Sequence, residues 1–189
     1  MSGAAPEESV RREADRATAR RCAAGDPVAQ RALYDEHIER VERLVIGMIG
    51  GGADAADVVQ DVFFRIFRSI GRFRGDSELA TWVSRITVNE VRRKRRGLFR
   101  FLRFGRALAA EPQRTSTLDT RGLALRDAER ILESLPPEER EVFVLVHRAE
   151  LSLREASEIL ERPVSTLHAR LERARQKVAQ RIAKESGSG

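Results

Sequence analysis

The sequence predicts an all-α protein: two small helical domains joined by a flexible linker, the second built around a helix-turn-helix. Three observations predict this. Apolar residues recur at helical spacing through most of the chain, and no run alternates as a half-buried strand would. Capping and breaking signals cut the periodic stretches into helices of ordinary length. Between about residues 98 and 122 the periodicity loosens into a linker composition. The 189 residues suit one or two domains, each large enough for a core.

Residues 1–25 are charged and Ala/Arg-rich and read as an N-terminal extension. Gly25-Asp26-Pro27 is a helix start, with Asp26 at the N-cap and Pro27 at the first helical position. The helix it opens turns Leu33, His37, Val41, Leu44, Val45 and Met48 toward a core, and Gly50-Gly51-Gly52 stops it. Asp54 is expected to cap the next helix, which buries Val58, Val62, Phe63, Ile66, Phe67 and Ile70. The turn Gly71–Ser77 leads into a helix whose apolar face is Leu79, Trp82, Val83 and Ile86, with Trp82 read as core. These elements form one helical domain, residues 26–97.

The linker, 98–122, opens with Leu98-Phe99-Arg100-Phe101-Leu102-Arg103-Phe104-Gly105-Arg106. That stretch reads first as a continuation of the preceding helix packed on its own domain, and second as a partner-, nucleic-acid- or membrane-surface-binding segment. A second domain follows at 123–184, ahead of a flexible tail, 185–189. Leu125, Ala128, Ile131, Leu132 and Leu135 lead to the stop Pro136-Pro137, and Val142, Phe143, Leu145 and Val146 form the next stripe. Ser152-Leu153-Arg154-Glu155 is a capping box that opens a short helix through Ala156, Ile159 and Leu160. Glu161-Arg162-Pro163 is the turn, and Ser165 is expected to cap a final helix burying Leu167, Leu171, Ala174 and Val178. A short capped helix, a tight turn and a longer basic helix make a helix-turn-helix.

Charge and chemistry narrow the function. Thirty-five Lys and Arg against 29 Asp and Glu leave a net charge of +6, which favours an acidic partner, nucleic acid before membrane. A single cysteine, Cys22, excludes a disulfide framework and suits a reducing cytoplasm; the N-terminus shows no signal-peptide pattern. His37, His147, His168 and Cys22 are scattered without metal-ligand spacing, and there is no phosphate-binding Gly-rich loop or nucleophile motif. No catalytic residue, cofactor, metal or small-molecule substrate is therefore expected, and an enzyme is disfavoured. Asn89, Arg92, Arg93 and Arg96 instead lie at i, i+3, i+4 and i+7, one stripe on a helix end. Arginine neutralises phosphates and stacks on bases, and an amide bonds base edges, so the stripe fits a polyanion. A solvated basic helix end, favoured by the helix dipole, is the plainer alternative. In the helix-turn-helix, Thr166, His168, Ala169, Arg170, Glu172, Arg173 and Lys177 point outward.

Together the two halves resemble the extracytoplasmic-function (ECF) sigma factors of the sigma-70 superfamily, over about 26–97 and 123–182. In the first half the likeness rests on Asp57-Val58-Val59-Gln60-Asp61-Val62-Phe63-Phe64-Arg65-Ile66-Phe67, on Phe73-Arg74-Gly75-Asp76, and on Thr81-Trp82-Val83 with Arg85-Ile86 and Asn89. In the second it rests on Leu135-Pro136-Pro137, Glu155, Ile159-Leu160, Pro163-Val164-Ser165-Thr166-Leu167, Arg170-Leu171 and Arg173-Ala174-Arg175. The resemblance implies a promoter-recognition subunit of bacterial RNA polymerase. Asp57, Gln60, Asp61 and Phe64 would face the clamp helices of the largest polymerase subunit. Arg74, Asp76, Ser77, Asn89, Arg92, Arg93 and Arg96 would hold the opened −10 element. Ser165, Thr166, His168, Ala169, Arg170, Glu172 and Arg173 would meet the −35 duplex. The polymerase flap and an anti-sigma protein are further implied partners. The chain departs from the family pattern at Ala156-Ser157, Glu161-Arg162, His168-Ala169 and Glu172. Two readings of another class stand beside it: a sigma-like decoy that binds an anti-sigma factor, and a stand-alone helix-turn-helix regulator.

Overall fold

The computed structural model describes the backbone of residues 4–104 and 128–186, with side chains over 9–96, apart from Ala53, and 128–184. Its elements are α1 (Ala4–Ala23), α2 (Pro27–Ile49), α3 (Ala53–Ser69), a 3-10 turn (Ile70–Arg72) and α4 (Leu79–Phe104). After them come helix α5, described over 128–133, then α6 (Pro137–His147), α7 (Leu153–Leu160) and α8 (Val164–Ser186). No strand occurs among the described residues.

Local chemistry sets most boundaries. Asp26 caps α2, its Oδ1 accepting from Val28 N (2.9 Å) and Ala29 N (3.2 Å), with Pro27 in the first turn. Gly50 ends α2 at φ 85°, its N–H returned to Ile46 O. Asp54 is not the cap of α3: Gly52 takes that position at φ 107°, and its carbonyl accepts from Ala55 and Ala56. The glycine run lets the backbone turn without a side-chain cap, and Asp54 pairs with Lys94 instead (3.3 Å). The capping box of α7 is present, Glu155 N donating to Ser152 Oγ (3.2 Å) and Ser152 N to Glu155 Oε2 (2.9 Å). Glu161 closes α7 in the left-handed region, φ 54°. Ser165 does not cap α8, which starts one residue earlier; Pro163 O accepts from Leu167 N at 3.1 Å.

Two segments carry helix beyond the expected domain boundaries. The N-terminal extension is largely helix α1, which buries Ala19 and Cys22 against the first domain. The backbone of helix α4 runs to Phe104, the helical continuation read first for 98–106, and so passes the domain boundary expected at 97. Gly97 is the only poor helix former between Asn89 and Phe104, and its cost of about 1 kcal/mol does not break a long helix. Residues 105–127, which include Leu125 and most of the expected linker, lie outside the described residues.

The core is continuous from one domain to the other. Leu33, Val41, Leu44, Val58, Val62, Ile66 and Val83 join Val142, Leu145, Ile159 and Leu167 in it. Each such side chain contributes about 1.5–3 kcal/mol on full burial. Between the domains α2 packs on α6 and α4 on α7. Gly47 allows the first contact: a Cβ there would lie 2.9 Å from both Val144 methyl groups. Arg40 Nη1 donates to Ala149 O (2.6 Å), Arg140 Nη1 to Met48 O (3.1 Å) and Thr81 Oγ1 to Glu155 Oε1 (2.9 Å) across the same seam.

Candidate nucleic-acid interface

Helix α3 offers one surface. Its inner face buries Val58, Val62, Phe63 and Ile66, which leaves Asp57, Gln60, Asp61 and Phe64 together on the outside. Phe64 is 64% exposed, and the Arg68 guanidinium lies 5.5 Å from its ring centre.

Helix α4 and the loop before it carry the expected strand-binding residues. Asn89 and Arg96 are exposed. Arg93 is tied down: its Nε bonds Glu90 Oε2 (2.5 Å) and its Nη2 meets Asp61 Oδ2 (3.1 Å). Glu90, 6% exposed, also draws Arg65 Nε from α3 (3.4 Å). The hydrogen bond and charge of Glu90, with Asp61 behind them, hold the Arg93 guanidinium above its usual range. Arg93 thus links α3 to α4. Arg92 faces the second domain, where Glu141 receives its Nη2 (2.8 Å) and Nε (3.3 Å) and also faces Arg95 Nη1 (3.6 Å). In the loop, Arg74 and Asp76 are exposed and Ser77 is half-buried. Trp82 is half-buried against the core, its ring edge-on to Phe73 at 5.7 Å.

Helix α8 provides the third surface. Ser165, His168 and Ala169 are exposed, Thr166 is half-buried, and Glu172 bonds Arg175 Nη1 (2.7 Å). Arg170 pairs with Glu138 at the start of α6. Arg173 Nε and Lys177 Nζ both reach Glu139, at 3.2 and 2.7 Å. Burial pushes the Glu139 carboxyl up, but these two cations outweigh it and leave it below the usual glutamate range. The turn of the helix-turn-helix faces the basic end of α4 across a cleft of about 400 Å³ lined by Arg92, Arg95, Arg96, Glu141, Arg162 and Arg170.

The expected site residues therefore fall on three surfaces. The fold brings Arg92 and Arg96 of the α4 stripe and Arg170 of the α8 face to one cleft, whereas Asn89, Arg93 and the remaining α8 residues lie outside its lining. Sequence reasoning missed Glu138, Glu139 and Glu141, the carboxylates that meet those arginines. The only signal was that Glu138 and Glu139 stand in the first turn of a helix after Pro136-Pro137, which the helix dipole alone would explain; Glu141, just past that turn, gave none. Among the described residues no acidic, His or Cys cluster could hold a metal ion, and no helix is long and apolar enough to cross a membrane.

Comparison with known proteins agrees with this layout. Residues 33–100 match Sigma-70 region 2, and residues 125–178 match Sigma-70 region 4. The chain is 32% identical over 173 residues to the ECF RNA polymerase sigma factor SigE of Mycolicibacterium smegmatis, covering 87% of this chain and 66% of that relative's length. It is 26% identical over 193 residues to the ECF RNA polymerase sigma-E factor of Escherichia coli K12, covering 89% of this chain and 94% of that one. Among solved structures, CnrH in complex with the cytosolic domain of CnrY superposes with a TM-score of 0.70 at 26% identity, over 90% of this chain and 98% of that one. The sigma factor RpoE from Bartonella quintana, in complex with the anti-sigma factor NepR, shares the fold with a TM-score of 0.67 at 22% identity, over 81% and 96%. With region 2 and region 4 present in that order on an all-helical chain, the protein belongs to the ECF group of the sigma-70 family.

Proposed function

We propose that this chain directs core RNA polymerase to promoters through three surfaces and takes no catalytic part itself. The outer face of α3 (Asp57, Gln60, Asp61, Phe64) docks on the clamp helices of the largest subunit. Arg74, Asp76 and Ser77 of the 73–78 loop and Asn89, Arg92, Arg93 and Arg96 hold the −10 strand once it is unstacked, repaying the few kcal/mol of unstacking through phosphate and stacking contacts. Ser165, Thr166, His168, Ala169, Arg170, Glu172 and Arg173 meet the −35 duplex, where a bidentate arginine–guanine contact discriminates by about 1–3 kcal/mol. The second domain also meets the polymerase flap. An anti-sigma protein is the natural regulator, by analogy with RpoE held by the anti-sigma factor NepR, and the cytoplasm is the site of action.

The observation that carries this reading is Phe64, exposed between carboxylates and an amide on the free face of α3. The test is gel filtration with bacterial core polymerase, using Asp61→Arg and Phe64→Ala as controls. Asp61 and Arg93 are 55% and 60% exposed, so their pair is worth at most about 1 kcal/mol and the fold survives its loss. Co-elution that both variants lose supports the reading. A folded chain that does not associate points to the decoy or the stand-alone regulator, which duplex binding separates.

A further inference from the structure

Helix α1 precedes the segment that matches region 2, which begins at residue 33, yet it grips the 73–78 loop at both ends. At the far end, Asp15 Oδ2 accepts from Leu79 N (2.8 Å), an N–H in the first turn of α4 that the helix itself cannot satisfy. The cap of α4 is thus supplied from 64 residues away. Beside it, Arg11 Nη1 meets Glu78 Oε1 at 3.2 Å. At the near end, Arg16 Nε donates to Arg74 O (3.0 Å). Its guanidinium covers Gly75, which is buried at φ 76°; a Cβ there would collide with it. The Arg16 side chain is itself steered by Glu13 (3.6 Å). Arg11 and Asp15 lie at i and i+4 on one face of α1, and Arg16 extends that contact round the helix to Arg74 and Gly75. Held in this way, the loop leaves Arg74 and Asp76 in solvent.

We propose that Asp15 and Arg16 are positioning residues that fix the 73–78 loop and thereby set base preference in the −10 strand, without touching DNA themselves. This rests on the reading of that loop as a −10 contact. A capped α4 and a pinned Arg74 carbonyl restrict the loop to one backbone path, so its side chains meet a base pre-organised and at little entropic cost. Arg11 adds little, since its pair with Glu78 is largely exposed.

The test uses the full chain assembled with core polymerase, with Arg16→Ala, Asp15→Ala and the conservative Asp15→Asn, which keeps an oxygen acceptor. Three quantities are measured: affinity for core, affinity for fluorescent single-stranded oligonucleotides, and base preference from an oligonucleotide pool randomised over six positions. Arg74→Ala and Asp76→Ala are run beside them. Core affinity should stay within about twofold. Oligonucleotide affinity should fall about tenfold in Arg16→Ala and Asp15→Ala, the worth of one charge-assisted hydrogen bond, and base preference should flatten. Asp15→Asn should restore most of the preference. If the loop variants alter base preference while the α1 variants leave it intact, the positioning role is wrong and the loop reading stands. If the loop variants also change nothing, both are wrong. An equal fall in core and oligonucleotide affinity would show plain destabilisation and overturn the proposal.

Discussion

Replacing Gly47 with alanine isolates the seam between the two domains. A Cβ at Gly47 would stand 2.9 Å from both methyl carbons of Val144 and 3.2 Å from Arg148 Cδ. Carbon atoms rest about 3.5–4.0 Å apart, so the Val144 contacts are short by roughly 0.6–1.1 Å. Arg148 can swing aside, but Val144 cannot: it is fully buried, and its branched side chain has little rotamer freedom on a helix. Relief must come from moving α6 away from α2, at a cost of about 1–3 kcal/mol for an overpacked contact. Against this, alanine near the end of α2 favours the helix by at most about 1 kcal/mol. The two effects act on different quantities: the first domain should gain slightly, and the docking of the second onto it should weaken. Calorimetry should resolve a single transition into two, and small-angle scattering should show a larger radius of gyration. Hydrogen exchange should quicken around Ala149 and Met48, whose carbonyls hold Arg40 and Arg140 across the seam. An unchanged radius with a raised melting temperature would refute the reasoning, since Val144 would then have adapted freely.

Glu161 sits in the left-handed region at φ 54°, which costs a side-chain-bearing residue about 1–2 kcal/mol. Glu161→Gly should therefore stabilise the second domain by about 0.5–1 kcal/mol after the greater freedom of glycine in the unfolded chain is counted, and a melting curve that falls would contradict this. Burial holds the His37 imidazole below its ordinary value of about 6.5, Arg40 acts in the same direction, Glu36 and Asp15 oppose it, and its Nε2 has no hydrogen-bond partner. Because the unfolded chain takes up this proton first, stability should fall as pH drops through that value, and it should level off below the folded one. His37→Leu should shrink the loss of melting temperature between pH 7.5 and 5.5. His147 contributes to the slope that remains, since its imidazole is lowered by burial and by Arg175.

The helical architecture was legible because its signals are local. Asp26-Pro27, the Ser152–Glu155 box and the apolar stripes of α2 and α3 are satisfied within a few residues of themselves. Asp54 misled because a good capping side chain stands beside three glycines, and Gly52 needs none. Helix α1 was hard to see because only Ala19 and Cys22 of its later half are buried and no apolar stripe announces them. The basic stripe of α4 was legible as a pattern but not in its partners. Glu90 with Arg93 is an i, i+3 pair, whereas Glu141 meets Arg92 from 49 residues away. No periodicity in sequence encodes a contact of that separation. The same holds for Gly47, whose missing side chain has meaning only opposite Val144.

The three glutamates that open α6 act as tethered counterions. Glu141 occupies Arg92, Glu138 occupies Arg170, and Glu139 occupies Arg173 with Lys177. A phosphate that takes one of these arginines displaces a carboxylate fixed to the same chain. The carboxylate left behind then recruits a cation from solution, which offsets the cation that DNA releases. The salt dependence of DNA binding should accordingly be shallower than the number of arginines implies, by about 0.9 in the log–log slope for each arginine drawn from a glutamate. On the proposed reading of these arginines, the hold of this chain on DNA would be buffered against ionic strength by its own acidic helix.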